Sequence, residues 1–485
     1  MDALAQLTAD CAARLKGEQV VTEPAQLRTY ECDGLSSYRS VPGLVILAES
    51  VADVAYVVSR CAELAVPFVA RGSGTGLSGG ALPRTDGVLV VTSRLNRIVD
   101  VDASDERAVV EPGVINAHLT TAAAPHGHYY APDPSSQQVC TIGGNVAENS
   151  GGAHCLKYGF TAHHVTGLEV VMPDGSVERF GGRAPDPVGY DVVGAVVGSE
   201  GTLGIVTEAT VRLLRAPEAV QTVLAAFHTI EAAGDAVSAI ISAGVLPAAI
   251  ELMDALAIEA AEAAVRPGYP EGAGAVLIVE LDGPRCEVEA QLADVERLCL
   301  AAEAFEVRIA ADDSERMLIW KGRKSAFAAV GRISPDYIVQ DGVIPRTALA
   351  EVLRAIEAVA AAAGLRVANV FHAGDGNLHP LVLFDEAKGE TEKAEDVSNR
   401  IIELCLEHGG SITGEHGVGH DKVVHMRKMF SAVDLDVMQM VRCAFDPAGI
   451  ANPGKIFPTP RLCGERPGRR SGAHPLAEAG IADVF

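Results

Sequence analysis

The chain has 485 residues, 48% of them hydrophobic and 21% charged, which is too long for one ordinary core and calls for two or three domains. No apolar run approaches the roughly 18 to 20 residues of a membrane-spanning helix, which excludes a bilayer span. A formal charge of -25 repels phosphate backbones and anionic headgroups, so nucleic-acid or membrane binding by charge alone is excluded, and a site for a small acid has to supply its own positive charge.

The opening MDALAQLTADCAARLKGEQ reads as helix and lacks the basic-then-apolar pattern of a secretory signal, so the expected compartment is the cytoplasm. The ten cysteines never occur as C-x-x-C, which argues against a local zinc or iron–sulfur ligand set and for reduced thiols. VPGLVILAES at 41–50 reads as strand and turn, VADVAYVVSRCAELA at 51–65 as an amphipathic helix, and VPFVARG at 66–72 as a short buried strand running into glycines. This is a β-α-β rhythm. GVLVVT at 87–92 and AVVEPG at 108–113 add strands. From about residue 219 alanine-rich helical stretches, EAAGDAVSAIISAG and MDALAIEAAEAAV, alternate with the strands GAVLIVEL at 274–281 and RVANVFHA at 366–373, a second α+β unit. Beyond Thr459 the chain is rich in Pro, Gly and Arg without periodicity, so a mobile tail is expected over 459–485.

Three segments join glycines to small polar residues: ARGSGTGLSGGALP at 70–83, PDPSSQQVCTIGGNVAENSGG at 132–152 and GSEGTLGIVTEATVRL at 198–213. Glycine lets backbone N–H groups converge on phosphate oxygens without side-chain obstruction. The first segment alone is open between a surface loop and a pyrophosphate cradle, because it matches neither a Walker A loop nor a G-x-G-x-x-G turn. Three together imply one extended polar ligand. Its expected contacts are Arg71, Gly72, Ser73, Gly74, Thr75, Gly76, Gly79 and Gly80 in the first segment. The second contributes Pro132, Asp133, Thr141, Gly143, Gly144, Asn145, Ser150, Gly151 and Gly152, and the third Glu200, Gly201, Gly204, Ile205 and Val206.

With these loops the chain resembles the FAD-binding domain of the vanillyl-alcohol oxidase and p-cresol methylhydroxylase superfamily. NPGKIFP at 452–458, with Asn452, is similar to the segment that in this superfamily returns to the flavin domain. The resemblance implies an α+β fold in two parts. An FAD-binding domain of two α+β subdomains would span 1–218, a substrate cap with an antiparallel sheet 219–445, and the return 446–458. Some relatives tether FAD through a histidine of the first glycine loop; none stands in that loop here, so FAD is expected to be bound without a covalent link.

In FHAGDGNLHPLVLF at 371–384, Asp375-Gly376 is a strong hairpin signal. A two-residue turn there would pair Gly374 with Asn377, Ala373 with Leu378 and His372 with His379. The two imidazoles would then share one face, within reach of one ion. Taken alone, such a pair is more often two polar side chains on an exposed hairpin. A third ligand comes from GGSITGEHGVGHDK at 409–422, where Glu415 lies between glycines. Two histidines and a carboxylate suit zinc, manganese or iron with positions left open. His416 is then free for proton transfer, and His408, His420 and His425 read as ordinary surface residues.

HAGDGNLH and GEHG resemble the motifs of the D-lactate, glycolate and D-2-hydroxyglutarate dehydrogenase branch, and WKGRKSAFAAVGRISPDYIVQDGVIPR at 320–346 is most similar to the catalytic subunit of bacterial glycolate oxidases. The resemblance covers roughly residues 40–458. It implies His372, His379 and Glu415 as metal ligands, His416 as base, and Trp320 with Arg323 as substrate-binding residues, Arg323 pairing with the carboxylate. Hydride would go to flavin N5. The hydroxyglutarate enzymes hold a second carboxylate with threonine and lysine where Phe327 and Val339 stand, so glycolate or D-lactate is expected ahead of a dicarboxylate. Reoxidation would fall to an iron–sulfur subunit and a second flavin subunit, which could place the enzyme peripherally at the inner membrane. The rivals are a hydroxyglutarate-type enzyme, a non-redox FAD enzyme of the same fold and a non-catalytic flavin subunit.

Overall fold

The computed structural model describes residues 2–184 and 188–458; the tail expected over 459–485 lies outside them. The β-α-β opening is a strand at Leu44–Leu47, a helix at Val51–Leu64 and a strand at Phe68–Arg71. Ser50 starts the helix as a capping box: its hydroxyl accepts from the Asp53 N–H, and the Asp53 carboxylate accepts from the Ser50 N–H. Both strands run parallel to Val88–Val91, which lies between them. Phe68–Arg71 would be left as an open sheet edge, and residues 450–452 cover it. The Phe68 N–H donates to the Ile450 carbonyl at 2.9 Å, and the Asn452 N–H donates to the Phe68 carbonyl at 2.8 Å. A second, five-stranded antiparallel sheet follows, in the order Ile98–Asp102, Arg107–Val110, Ile205–Arg212, Val165–Val171, Val177–Gly181.

A nine-stranded sheet, antiparallel at every pairing, occupies the chain from Ala219 to Phe384. Helices cover both faces, and the strand residues alternate between two cores. Val223, Ala225 and Phe227 pack with Ile230–Ser242, Arg285–Ala301, Leu349–Ala362 and Thr391–Glu407. Leu224 and Ala226 pack with Ala255–Val265 and Asp313–Val330. Burial on both sides explains why Ala275–Gly283 reads as a nearly unbroken apolar run.

The hairpin at 372–379 differs from the expected two-residue turn. His372 pairs with Asn377 and Asn369 with Pro380, so four residues, 373–376, make the turn, closed by the Gly376 N–H on the His372 carbonyl at 3.1 Å. Asp375 drives this, because its Oδ1 accepts from the Asn377 N–H at 3.0 Å, and Gly376 takes a positive φ of 82° where an added Cβ would run into the Ile344 carbonyl. The register moves by two residues. An even shift keeps every side chain on its face, so the two imidazoles are diagonal neighbours with ring centroids 5.1 Å apart.

Among the described residues eight cysteines are free thiols.

Candidate active site

A cavity of about 1480 Å³ lies where the glycine loops meet the large sheet's domain. That exceeds the roughly 300 to 1,000 Å³ of a drug-sized ligand site. The loop after Phe68–Arg71 lines it with Arg71, Gly72, Ser73, Gly74, Thr75, Gly76 and Gly80. The helix Ile142–Glu148 and its flanks add Thr141, Gly143, Gly144, Asn145 and Ser150, and the third loop Glu200, Gly201, Gly204, Ile205 and Val206. Thr141 caps its helix, its Oγ1 accepting from the Gly144 N–H at 3.2 Å. A Cβ on Gly72 would fall 2.2 Å from that same oxygen, so the first two loops approach as closely as they do only with glycine there.

Six expected contacts stand behind the lining. Asn452 is buried and donates Nδ2 to the carbonyls of Gly80 and Glu200, at 2.9 and 2.6 Å, stitching the returning chain to two glycine loops. Gly79 turns against His420, Pro132 accepts from Asn116, and Gly152 packs on Asp133, which bonds His154. Gly151 leaves room for Glu415, whose Oε2 would sit 2.9 Å from an added Cβ. Glu200 has a further use: its carboxylate accepts from the Val418 and Gly419 N–H groups, each at 2.7 Å, tying the third glycine loop to the loop that carries Glu415. Residues 34–39, which also line the cavity, have no glycine motif by which the sequence could flag them.

From the other domain come Phe327, Val339, His379, Glu415 and His416. Glu415 Oε1 lies 3.4 Å from His372 Nε2 and 3.2 Å from His379 Nε2, all three groups buried or nearly so. Burial alone would raise the Glu415 carboxyl, but the two imidazoles that face it, His372 and His379, outweigh burial and hold the group well below its ordinary value. His416 stacks on His379, centroids 5.0 Å apart. Burial, with the neighbouring His379 and Lys422 adding to it against the pull of Asp341, holds its pKa down to about 4, so the imidazole is neutral at neutral pH.

Asp341 positions this loop and was not legible in the sequence. Fully buried, it accepts from the Thr413 hydroxyl, from the N–H groups of Gly414, Glu415 and His416, and from Lys422 Nζ. His425, expected at the surface, is buried, its Nε2 on Asn399 Oδ1 at 2.9 Å, because the loop folds it under the helix Thr391–Glu407.

Trp320 and Arg323, one helical turn apart on Asp313–Val330, do not line the cavity. Arg323 is 2% exposed, with Nη2 2.6 Å from Glu251 Oε2; the other oxygen of Glu251 accepts from His372 Nδ1 at 2.7 Å. Trp320 donates Nε1 to Glu280 Oε2 and stacks on His154. His154 lies between Asp133 and Glu280, at 2.9 and 3.1 Å. Burial would lower its pKa, but the two carboxylates outweigh that and push it up to about 10. The folded value lies above the free value of about 6.5, so the stabilisation is complete below pH 6.5 and is lost as pH rises through about 10. The gap in Tm between the parent and His154→Gln is therefore expected to narrow from pH 6.5 to pH 10; a constant gap would remove the charge from this account.

Residues 42–181 match the family described as FAD binding domain, and residues 216–456 match FAD linked oxidases, C-terminal domain. The glycolate oxidase subunit GlcD of Escherichia coli is 49% identical over 93% of this chain and 90% of its own length. The chain belongs to the FAD-linked oxidase family. GlcD of Bacillus subtilis is 41% identical over 88% of this chain and 92% of that protein, and a D-lactate dehydrogenase of Anaerostipes hadrus is 33% identical over 86% and 89%. The fold of this FAD-linked oxidase is shared with p-cresol methylhydroxylase, with a TM-score of 0.79 at 17% identity over 94% of this chain and 96% of that one. It is an FAD-dependent oxidoreductase of α+β fold, and among the described residues no helix is long and apolar enough to cross a membrane.

Proposed function

We propose that this enzyme is an FAD- and metal-dependent dehydrogenase that oxidises glycolate or D-lactate to the 2-oxo acid. The observation that carries the reading is the convergence of His372, His379, Glu415 and His416 beside the cavity that the glycine loops line. The names of the relatives, glycolate oxidase subunit and D-lactate dehydrogenase, support the same substrate class.

The residues fit both groups. Nitrogen and oxygen ligands about 2.0 to 2.2 Å from an ion at tetrahedral angles lie roughly 3.3 Å apart, and the two separations from Glu415 Oε1 are 3.4 and 3.2 Å. Glu415 Oε2 and His379 Nε2 are buried without a hydrogen-bond partner, which a divalent zinc, manganese or iron would relieve. The glycine loops offer FAD unobstructed backbone, and without a histidine in the first of them the flavin is held non-covalently. When bound, FAD supplies the hydride acceptor and the ion supplies Lewis acidity toward the substrate oxygens.

His416, neutral and without a partner on Nδ1, takes the hydroxyl proton. Arg323, the cation that the resemblance implies for the substrate carboxylate, lies off the cavity with its Nη2 against Glu251 and its Nε buried without a hydrogen bond. Trp320, its one donor engaged by Glu280, supports that helix rather than bonding substrate. Phe327 and Val339 put apolar surface on the cavity wall, which disfavours a second carboxylate. Electrons leave to a partner, an iron–sulfur subunit with a second flavin subunit, in the cytoplasm or at the inner membrane; the naming of relatives as subunits supports this.

The test is anaerobic mixing with 2-hydroxy acids of both hands. Glycolate or D-lactate is expected to bleach the flavin, chelation to suppress bleaching and added divalent metal to restore it; bleaching by neither acid would end the reading. His416→Asn is expected to keep FAD and metal yet slow flavin reduction at least ~10²-fold. An unchanged single-turnover rate would remove His416 as base.

A further inference from the structure

Glu251 belongs neither to the three-residue donor set nor to the base, yet its one carboxylate joins the two halves of the site. The strand Ala249–Asp254 pairs with Arg366–His372, and Glu251 lies directly across from His372. Glu251, Arg323 and His372 are 1%, 2% and 4% exposed. His372 Nδ1 lies 2.7 Å from Glu251 Oε1, and a ligating imidazole is neutral with a single N–H; donated from Nδ1 to that carboxylate, it leaves Nε2, which faces Glu415, for an ion. The second oxygen of Glu251 lies against Arg323 Nη2 at 2.6 Å, which gives the buried carboxylate its counter-charge.

We propose that Glu251 is a positioning residue that fixes His372 in the tautomer and orientation of a metal ligand, with Arg323 holding the carboxylate in place from the opposite side. The inference rests on the reading of His372, His379 and Glu415 as a metal site. Carboxylates behind ligating imidazoles set ring orientation and ligand basicity, and their loss weakens metal binding about 10- to 100-fold. An ion pair that merely braced the fold would change stability and leave metal affinity alone.

The experiment titrates metal-free, FAD-loaded protein with zinc(II) against a chromophoric chelator. Glu251→Gln keeps the side chain's shape but loses its charge. It is expected to bind zinc about 10- to 100-fold more weakly than the parent, with FAD content unchanged. Because this variant leaves the Arg323 charge buried and unpaired and could fail to fold, the double variant Glu251→Gln with Arg323→Met removes both charges, and it is expected to show the same loss. If the parent binds zinc and a folded variant binds it equally tightly, the role of Glu251 is overturned while the metal site stands. A parent that takes up no zinc overturns both.

Discussion

Replacing Glu415 by alanine is expected to slow flavin reduction by a 2-hydroxy acid about 10³-fold, about 4 kcal/mol of transition-state stabilisation, while the protein stays yellow. Glu415 is the one anion among the three converging donors and the point at which both imidazoles meet. Without it only the two imidazoles remain, a set that holds a divalent ion poorly. FAD should be retained, because the glycine loops of the other domain line the remainder of the cavity. Stopped-flow reduction under nitrogen, with flavin content read from the same spectrum, measures both. Full-rate reduction in a yellow variant would discard the metal role. Loss of the flavin together with activity would move Glu415 from the chemistry to the assembly of the cavity.

What the sequence disclosed follows from the range of its signals. Glycine clusters, the β-α-β rhythm and the motifs around His372, His379, Glu415 and His416 are written within a few residues of each other, and backbone demands show locally. The hairpin shows the limit. Asp375-Gly376 announced the turn, but not that the Asp375 side chain would cap it and lengthen it to four residues; the facing of the histidines survived because the slip was even. Glu251 and Asp341 left no local trace. Each is a lone acid in an apolar strand or turn, and their partners lie 121 and 75 residues away, at a distance only the fold closes. Arg323 is the converse case: its motif gave its place on the helix, but not that it would be buried against a second carboxylate.

Asp341→Asn is expected to cost the protein about 3 to 5 kcal/mol of stability and most of its activity. The carboxylate is fully buried and receives hydrogen bonds from Thr413, from three successive backbone N–H groups and from Lys422. All of these are donors. An asparagine amide offers one oxygen and turns two N–H groups toward a wall of donors, so some of those N–H groups lose their acceptor and Lys422, itself buried, loses its counter-charge. The backbone that Asp341 gathers carries both Glu415 and His416, so the loss falls on the geometry of the site as well as on the fold. Denaturant unfolding gives the first effect as a lower midpoint with an unchanged slope. The second appears, under conditions where the variant is still folded, as slowed flavin reduction with FAD retained. A variant as stable as the parent would show that the loop is held by its own glycines, while a destabilised variant reducing flavin at the parent rate would separate the loop's stability from its placement of Glu415 and His416.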